Sequence, residues 1–195
     1  MQAIEPTRLS EILDEHEKTI FHGNGKPAVF ENVNLNNMNF TGRNLTLAKF
    51  INTSLRYTNF IDTTLDYATF DKTDLYNTLF INATFKHASL RNVNLTNANL
   101  RNTNFSHCSL YNSTLTNVNL QGTIGNMQQI KSFQIEKYPI AYTAELIQIG
   151  HECHTIDKWN NYSDAIIATM DYDALKWWQK WRSTLFKIIE ISPCV

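Results

Sequence analysis

An apolar residue returns at every fifth position from Phe30 to Leu120 without a single insertion, beginning Phe30, Leu35, Phe40, Leu45, Phe50 and ending Leu110, Leu115, Leu120. In an α-helix, residues five apart point about 140° away from each other, so this set would be smeared around the cylinder. In a flat strand an odd spacing throws successive members onto opposite faces. What keeps every fifth side chain on a common axis is a chain that turns a corner once per repeat, which makes a solenoid.

The order of Phe and Leu sets the number of sides. Residues twenty apart form like columns: Phe30, Phe50, Phe70, Leu90, Leu110; Leu35, Leu55, Leu75, Leu95, Leu115; Phe40, Phe60, Phe80, Leu100, Leu120; and Leu45, Leu65, Phe85, Phe105. Residues fifteen apart mix the two types, as in Phe30, Leu45, Phe60, Leu75. Four sides per turn follow. The nineteen units from Ala28 to Gly122 then make nearly five turns, a rod about 23 Å long at the usual strand separation. The slot two before each apolar residue is small, as at Ala28, Ala48, Ala68, Thr73, Ala83 and Cys108, because it too points into a narrow interior. Asn recurs two after it, where corners need side chain to backbone hydrogen bonds and unusual dihedrals. Arg43 breaks the small-residue rule. Either the first turn is loosened beneath an N-terminal helix, or the guanidinium reaches outward at a corner.

Units of a small residue, a polar residue, Leu or Phe, and two further polar residues resemble the pentapeptide-repeat family. That resemblance implies a mainly β fold, a right-handed quadrilateral β-helix. The stretch Glu15 to Phe30, with His16, Gly25 and Ala28, resembles the helical lead-in of bacterial and phage members, and Leu146 to Trp159 resembles a C-terminal module attached to others. The expected organisation is an N-terminal capping helix in 1–25, a pentapeptide-repeat β-helix in 26–124 and a Trp-rich α+β module in 125–195.

A stacked coil exposes backbone donors and acceptors at both ends, so each end needs a cover. Thr7 to Thr19 is predicted as a helix capped by Thr7, with Leu9, Ile12, Leu13, His16 and Ile20 along one side and Gly23 and Gly25 ending it. All four tryptophans, Trp159, Trp177, Trp178 and Trp181, follow the last repeat. There Ser132 to Glu136 and Ile140 to Tyr142 read as short strands, Ser163 as a helix cap, and Asp171 to Ile191 as a long helix with Leu175, Trp178, Trp181, Leu185, Ile188 and Ile189 on its apolar side. Asp171 and Asp173 are expected in the first turn of that helix.

A net charge of −1 over 195 residues gives no global attraction to nucleic acid or anionic lipid. The N-terminus lacks a basic segment followed by an apolar core, and no apolar run is long enough to span a bilayer. The expectation is a cytoplasmic protein, with no membrane and no direct nucleic-acid partner. Cys108, Cys153 and Cys194 are odd in number and at no framework spacing, so reduced thiols are expected.

Three groups of residues are candidate sites. His151, Cys153 and His154 carry ligand chemistry that would suit zinc. On a strand, however, His154 would point away from the other two, and packing near the rod end is the favoured reading, with no cofactor. Ile61, Leu79 and Ile81 flank one column on the outside, with Arg101 a turn further on, and form a candidate partner or self-association patch. Leu47, Tyr67, His87 and His107 form another outward column at twenty-residue spacing. Tyr67, His87 and His107, together with Trp159 and Trp177 of the tail, complete the candidate partner contacts.

No motif pairs a nucleophile with a base, and a filled rod leaves no substrate cavity. A non-catalytic protein-binding or scaffold module is therefore expected, with an unknown protein partner and a possible homodimer through the C-terminal module. The resemblance also implies an alternative, since some family members mimic DNA to modulate type II topoisomerases. Against it, residues 28–122 hold five acids (Glu31, Asp62, Asp66, Asp71, Asp74) and seven bases, and the aspartates fall on four different sides. An enzyme or zinc site in the C-terminal module is the remaining alternative.

Overall fold

The computed structural model describes residues 1–194. The chain opens with β1 (Gln2–Ala3) and α1 (Pro6–His22). Pro6 holds the first helical position, where its missing N–H costs nothing. Thr7, the expected cap, therefore lies inside the first turn; the N-cap is Glu5, which makes no side-chain capping bond. Gly23, at φ 70°, ends the helix and donates its N–H to the Thr19 carbonyl. Leu13 and His16 are buried, and Leu9 and Ile12 are half-buried against the same core.

The repeats then wind through β2 (Val29–Glu31), β3 (Val33–Asn34), β4 (Lys49–Ile51), β5 (Thr69–Asp71) and β6 (Ser89–Arg91). β2, β4, β5 and β6 pair in parallel, with Phe30 on Phe50, Phe50 on Phe70 and Phe70 on Leu90. The other three sides climb by single parallel bridges at the same spacing, as in Asn34 with Ser54, Asn39 with Asn59 and Asn44 with Thr64. The solenoid is four-sided. Its Phe columns stack ring on ring, 4.6 Å apart for Phe50 and Phe70 and 5.0 Å for Phe40 and Phe60. Burial of each such side chain contributes on the order of 1.5 to 3 kcal/mol. β1 pairs in parallel with β3 at the open edge of the first coil, Gln2 opposite Val33, a strand that the sequence pattern does not foreshadow.

The small inward slot is often Thr because Thr satisfies itself there. The Thr63 hydroxyl donates to the Phe40 carbonyl at 2.9 Å, and Thr58, Thr78 and Thr103 do the same twenty-three residues back, so the hydroxyls in these inward slots are paired. Corners such as Leu35 to Met38 close with an N–H to carbonyl bond of 3.3 Å and a positive φ at the third residue, the geometry of a type II turn. Asn fits because it tolerates positive φ, and because it bonds its neighbours above and below: Asn82 donates to Asp62 at 2.9 Å and accepts from Asn102 at 3.1 Å. Arg43 turns outward, its Nη1 lying 3.0 Å from Glu17 of α1. In the first coil that slot has a helix beside it, which leaves room for a long side chain.

The chain leaves the coil at Gly125, where a Cβ would stand 2.1 Å from the Ile130 carbonyl oxygen, so only glycine fits. β7 (Lys131–Ile135), β8 (Tyr138–Tyr142), β9 (Leu146–Ile149) and β10 (Glu152–Thr155) form an antiparallel sheet in the order β10-β9-β8-β7. Both faces of this sheet are covered. Ala141 and Leu146 join the core of the coil, whereas Ile140, Tyr142, Ile147 and Ile149 join a second core with α2 (Ile156–Asn161), α3 (Asp164–Ile167) and α4 (Ala174–Ile191). Free polar groups of the last coil meet side chains here. Leu120 N–H donates to Gln148 Oε1 at 3.3 Å, Asn126 donates to the Cys108 carbonyl at 3.0 Å, and the Cys153 thiol lies 3.5 Å from the Val118 carbonyl. Ser163 caps α3 through its hydroxyl. α4 starts at Ala174, so Asp171 and Asp173 precede the helix rather than occupy its first turn; both instead hold Lys137, at 3.3 and 3.2 Å. Among the described residues, no helix is long and apolar enough to cross a membrane.

Candidate interaction surface

Every corner of the coil places one residue at positive φ, and three of the four corners mostly use residue types that bear it, Lys72 and Tyr57 excepted. After the Phe30 column these are Asn32, Asn52, Lys72, Asn92 and Asn112; after the Leu35 column Asn37, Tyr57, Asn77, Asn97 and Asn117; after the Phe40 column Gly42, Asp62, Asn82, Asn102 and Gly122. The fourth corner carries Leu47, Tyr67, His87 and His107, with φ from 58° to 67° and no Asn, Asp or Gly among them; Met127, just past the end of the coil, also has a positive φ of 62°. A left-handed conformation costs an ordinary L-residue about 1 kcal/mol, a cost that Leu47 and Tyr67 carry here, whereas histidine tolerates it better. Tyr67 stacks on His87 at 5.1 Å and His87 on His107 at 4.8 Å, with rings within about 11° of parallel. All five side chains are exposed. The sequence marks four of them; Met127 lies beyond the last repeat and is found only by carrying the twenty-residue register past Gly122.

On the outside of the Phe40 column, Leu79 is exposed and bridges Asn59 and Asn99, while Ile61 and Ile81 are half-buried beside it and Arg101 is exposed above. The structure therefore brings this patch together on one face, but only Leu79 offers much apolar surface. A third cluster escapes the sequence reading. Arg56 lies over the Tyr76 ring at 4.6 Å and 3.1 Å from Asp74, with Tyr57 edge-on to Tyr76 at 5.8 Å. Aromatic residues at corner positions where Asn and Thr predominate were the available signal.

The C-terminal candidates fare differently. Trp159 and Trp177 are core residues, not surface contacts: their indole N–H groups donate to the Ile147 and Ile135 carbonyls at 2.8 and 3.3 Å, and both side chains are buried. Alternation on β10 turns Cys153 toward the coil. Glu152 and His154 lie on the other side, with His154 Nε2 2.9 Å from Glu152 and packed edge-on to Trp159 and Tyr162. His151 is in the turn before the strand, 3.5 Å from the same carboxylate. The three do not converge, and among the described residues no group of three or more His, Cys, Asp or Glu is placed to hold a metal ion. Burial pushes the Cys153 thiol up to about 11 and the Cys108 thiol up to about 12, which withholds the thiolate that nucleophilic attack would require. All three cysteines are free.

The four acids that a DNA-like surface would need are engaged locally. Asp62 and Asp71 accept from Asn82 and Asn92, Asp66 accepts from the Lys86 backbone, and Asp74 holds Arg56 and Asn94.

Residues 26–100 match a family model described as a pentapeptide repeat region, and residues 88–124 match one described as pentapeptide repeats in eight copies. This chain belongs to the pentapeptide-repeat family. No catalytic family matches it. No curated protein matches the chain. Among solved structures it is similar to a pentapeptide-repeat protein of the Arabidopsis thaliana thylakoid lumen, at 27% identity over 46% of this chain and 63% of that one, with a TM-score of 0.45. HetL of Nostoc sp. strain PCC 7120, involved in heterocyst differentiation regulation, aligns at 23% identity over 52% of this chain and 48% of its own, with a TM-score of 0.28. The plasmid-mediated fluoroquinolone resistance protein QnrB1 aligns at 22% identity over 49% and 64%, with a TM-score of 0.29. In each of these three the match spans less than two thirds of the relative.

Proposed function

We propose that this protein is a non-catalytic protein-binding scaffold, read by its partner along the corner that carries Leu47, Tyr67, His87 and His107, with Met127 exposed just past its end. The coil is right-handed in this reading, α1 and the C-terminal sheet act as its end caps, and the unpaired thiols fit a reducing compartment such as the cytoplasm. One observation carries it. The four positions of this corner carry no Asn, Asp or Gly, and three of them stack ring on ring, while the other three corners largely keep Asn, Asp and Gly. Exposed aromatic and thioether groups held on a rigid frame lose little entropy on binding, so such a ladder suits recognition of a protein surface. The two small clusters, Leu79 with Ile81 and Arg56 with Tyr57 and Tyr76, lie on other faces and give it secondary contacts.

The test exploits the backbone preference itself. A Tyr67→Asn, His87→Asn, His107→Asn variant restores the residue type used at the other corners, so it should melt within a few degrees of the parent protein. Proteins captured by the parent and confirmed as purified binders should lose about ten-fold or more in affinity for the variant. A variant that keeps its stability and every confirmed partner would remove this corner from the account.

A further inference from the structure

Three sides of the last coil are covered and one is open. The Phe105 N–H donates to the Ile124 carbonyl, the Leu120 N–H to Gln148, and Asn126 donates to the Cys108 carbonyl beside buried Leu110. On the remaining side, residues 113–117, nothing among the described residues accepts from the Leu115 or Asn117 N–H or donates to the Ser113 carbonyl. One coil below, the equivalent groups are all used: Leu95 and Asn97 donate to the Thr114 and Thr116 carbonyls, and Val93 accepts from Thr114, each at 2.9 Å. Leu115 is also the one column residue that is not buried. Above it runs a groove of about 620 Å³, counting the part open to solvent, whose far wall is Thr143, Ala144 and Glu145 of the β8–β9 turn. That turn closes on itself. The Thr143 N–H donates to the Leu146 carbonyl at 3.0 Å, and the Glu145 and Leu146 N–H groups donate to the Thr143 hydroxyl, so the turn does not compete for the coil edge.

We propose that this edge takes an extended peptide of a partner protein as one further parallel side of the coil. The opposite end of the molecule shows the mode. There β1, which is no repeat, adds in parallel along the same column, Gln2 opposite Val33 and Ala3 opposite Asn34, and Ile4, next in line, packs against the coil core. That face is closed at its N-terminal end by a short extended segment and open at its C-terminal end. The register of the coil dictates the ligand. Its residue opposite Thr114 donates to the Ser113 carbonyl and accepts from the Leu115 N–H; the next, apolar, covers Leu115; the one after accepts from the Asn117 N–H. Opposite Ser113 the ligand is small, as in the inward slots below. Glu145 is the one charged residue lining the groove, which favours a basic side chain on the ligand and disfavours an acidic one. This edge is separate from the ladder corner, so either reading can fail without the other.

The chain's own segment from Thr96 to Asn102, Thr-Asn-Ala-Asn-Leu-Arg-Asn, meets each requirement, and a labelled, end-blocked copy of it is the probe. Fluorescence anisotropy with the full-length protein should show saturable binding. N-methylation of the asparagine before the leucine, which removes the donor to Ser113, should weaken it about ten-fold or more. Serine in place of the leucine should weaken it by a similar factor, because Leu115 then stays uncovered. Glu145→Gln should weaken the peptide several-fold and leave a version with glutamine for arginine unchanged. Leu115→Pro removes an N–H that the fold does not use and, once its fold is checked by circular dichroism, should abolish binding. No saturable binding, or binding that N-methylation leaves intact, overturns the proposal. Sedimentation of the unliganded protein tests the competing occupant: self-association that the peptide reverses would put a second copy of this chain in the groove and overturn the assignment to a partner.

Discussion

The coil and the C-terminal module bury comparable aromatic groups by opposite means. In the coil, Phe50 touches Phe30 below and Phe70 above, and each neighbour is a copy of the same solution displaced by twenty residues. In the module, Trp178 packs against Trp159 from α2 and Phe186 from α4, and Trp177 against Tyr138 from β8, contacts that no period relates. A repeated core is stabilised by neighbours alone, so its surface is free to vary, corner by corner. The module has one core and one way to assemble it. Recognition features on the coil therefore appear as departures from a rule, whereas in the module they must be sought as space between side chains.

The largest expected effect tests the repeated core. Phe70→Ala removes a ring stacked between Phe50 and Leu90 and should destabilise the coil by about 3–5 kcal/mol in urea denaturation. A loss below about 1 kcal/mol would mean that the column is loosely packed. Next is the junction between the regions. Gln148→Leu leaves the buried Leu120 N–H without its acceptor and should cost about 1–3 kcal/mol. It should also split unfolding into two transitions, followed by tryptophan fluorescence for the module and far-ultraviolet circular dichroism for the coil.

At the other end, His16 Nδ1 accepts from the Ala28 N–H at 3.0 Å, and Nε2 is buried without a partner. Burial lowers its pKa below the ordinary 6.5, against weaker upward pulls from the Asn44 backbone and Glu17. The folded state thus refuses a proton that the unfolded chain accepts. Stability from this group is complete above about pH 6.5 and is lost as pH falls through the lower folded value. The urea midpoint should therefore drop between about pH 7.5 and 5.5, and His16→Gln, whose amide oxygen can accept the same bond, should flatten that slope. A slope unchanged by the substitution would place the sensitivity elsewhere.

The smallest effect is a gain. Leu47 has φ 67° and no ring stacked upon it, so Leu47→Asn should stabilise the coil by about 1 kcal/mol or less, whereas Asn82→Leu at an equivalent corner should destabilise it. If both changes weaken the protein, the backbone at the ladder corner carries no penalty and its residue choice needs another explanation.

How far the sequence could be read follows the same division. Phe30 to Leu120 state one instruction at each repeat, so the columns, the four sides and the ladder from Leu47 to His107 are legible without coordinates. Arg43 was visible as an exception, but the Glu17 carboxylate that receives it comes from a helix twenty-six residues earlier. β9 escaped because Leu146, Ile147, Gln148 and Ile149 are all buried, one face against the coil and one against the helices, so no polar alternation marks the strand. Trp159 and Trp177 read as surface anchors because tryptophan often is one; local sequence says nothing of the sheet carbonyls that absorb their N–H groups.

The stacking of residues twenty apart underlies every surface described here, and paired cysteines test it directly. In a background with Cys153→Ser and Cys194→Ser, the pair Asn92→Cys and Asn112→Cys should form a disulfide under mild oxidation, because adjacent parallel coils hold such Cα atoms about 5 Å apart. The pair Asn92→Cys and His107→Cys, spaced as a three-sided coil would stack, should stay reduced. Cross-linking of the second pair in preference to the first would contradict the four-sided coil and every corner assignment made on it.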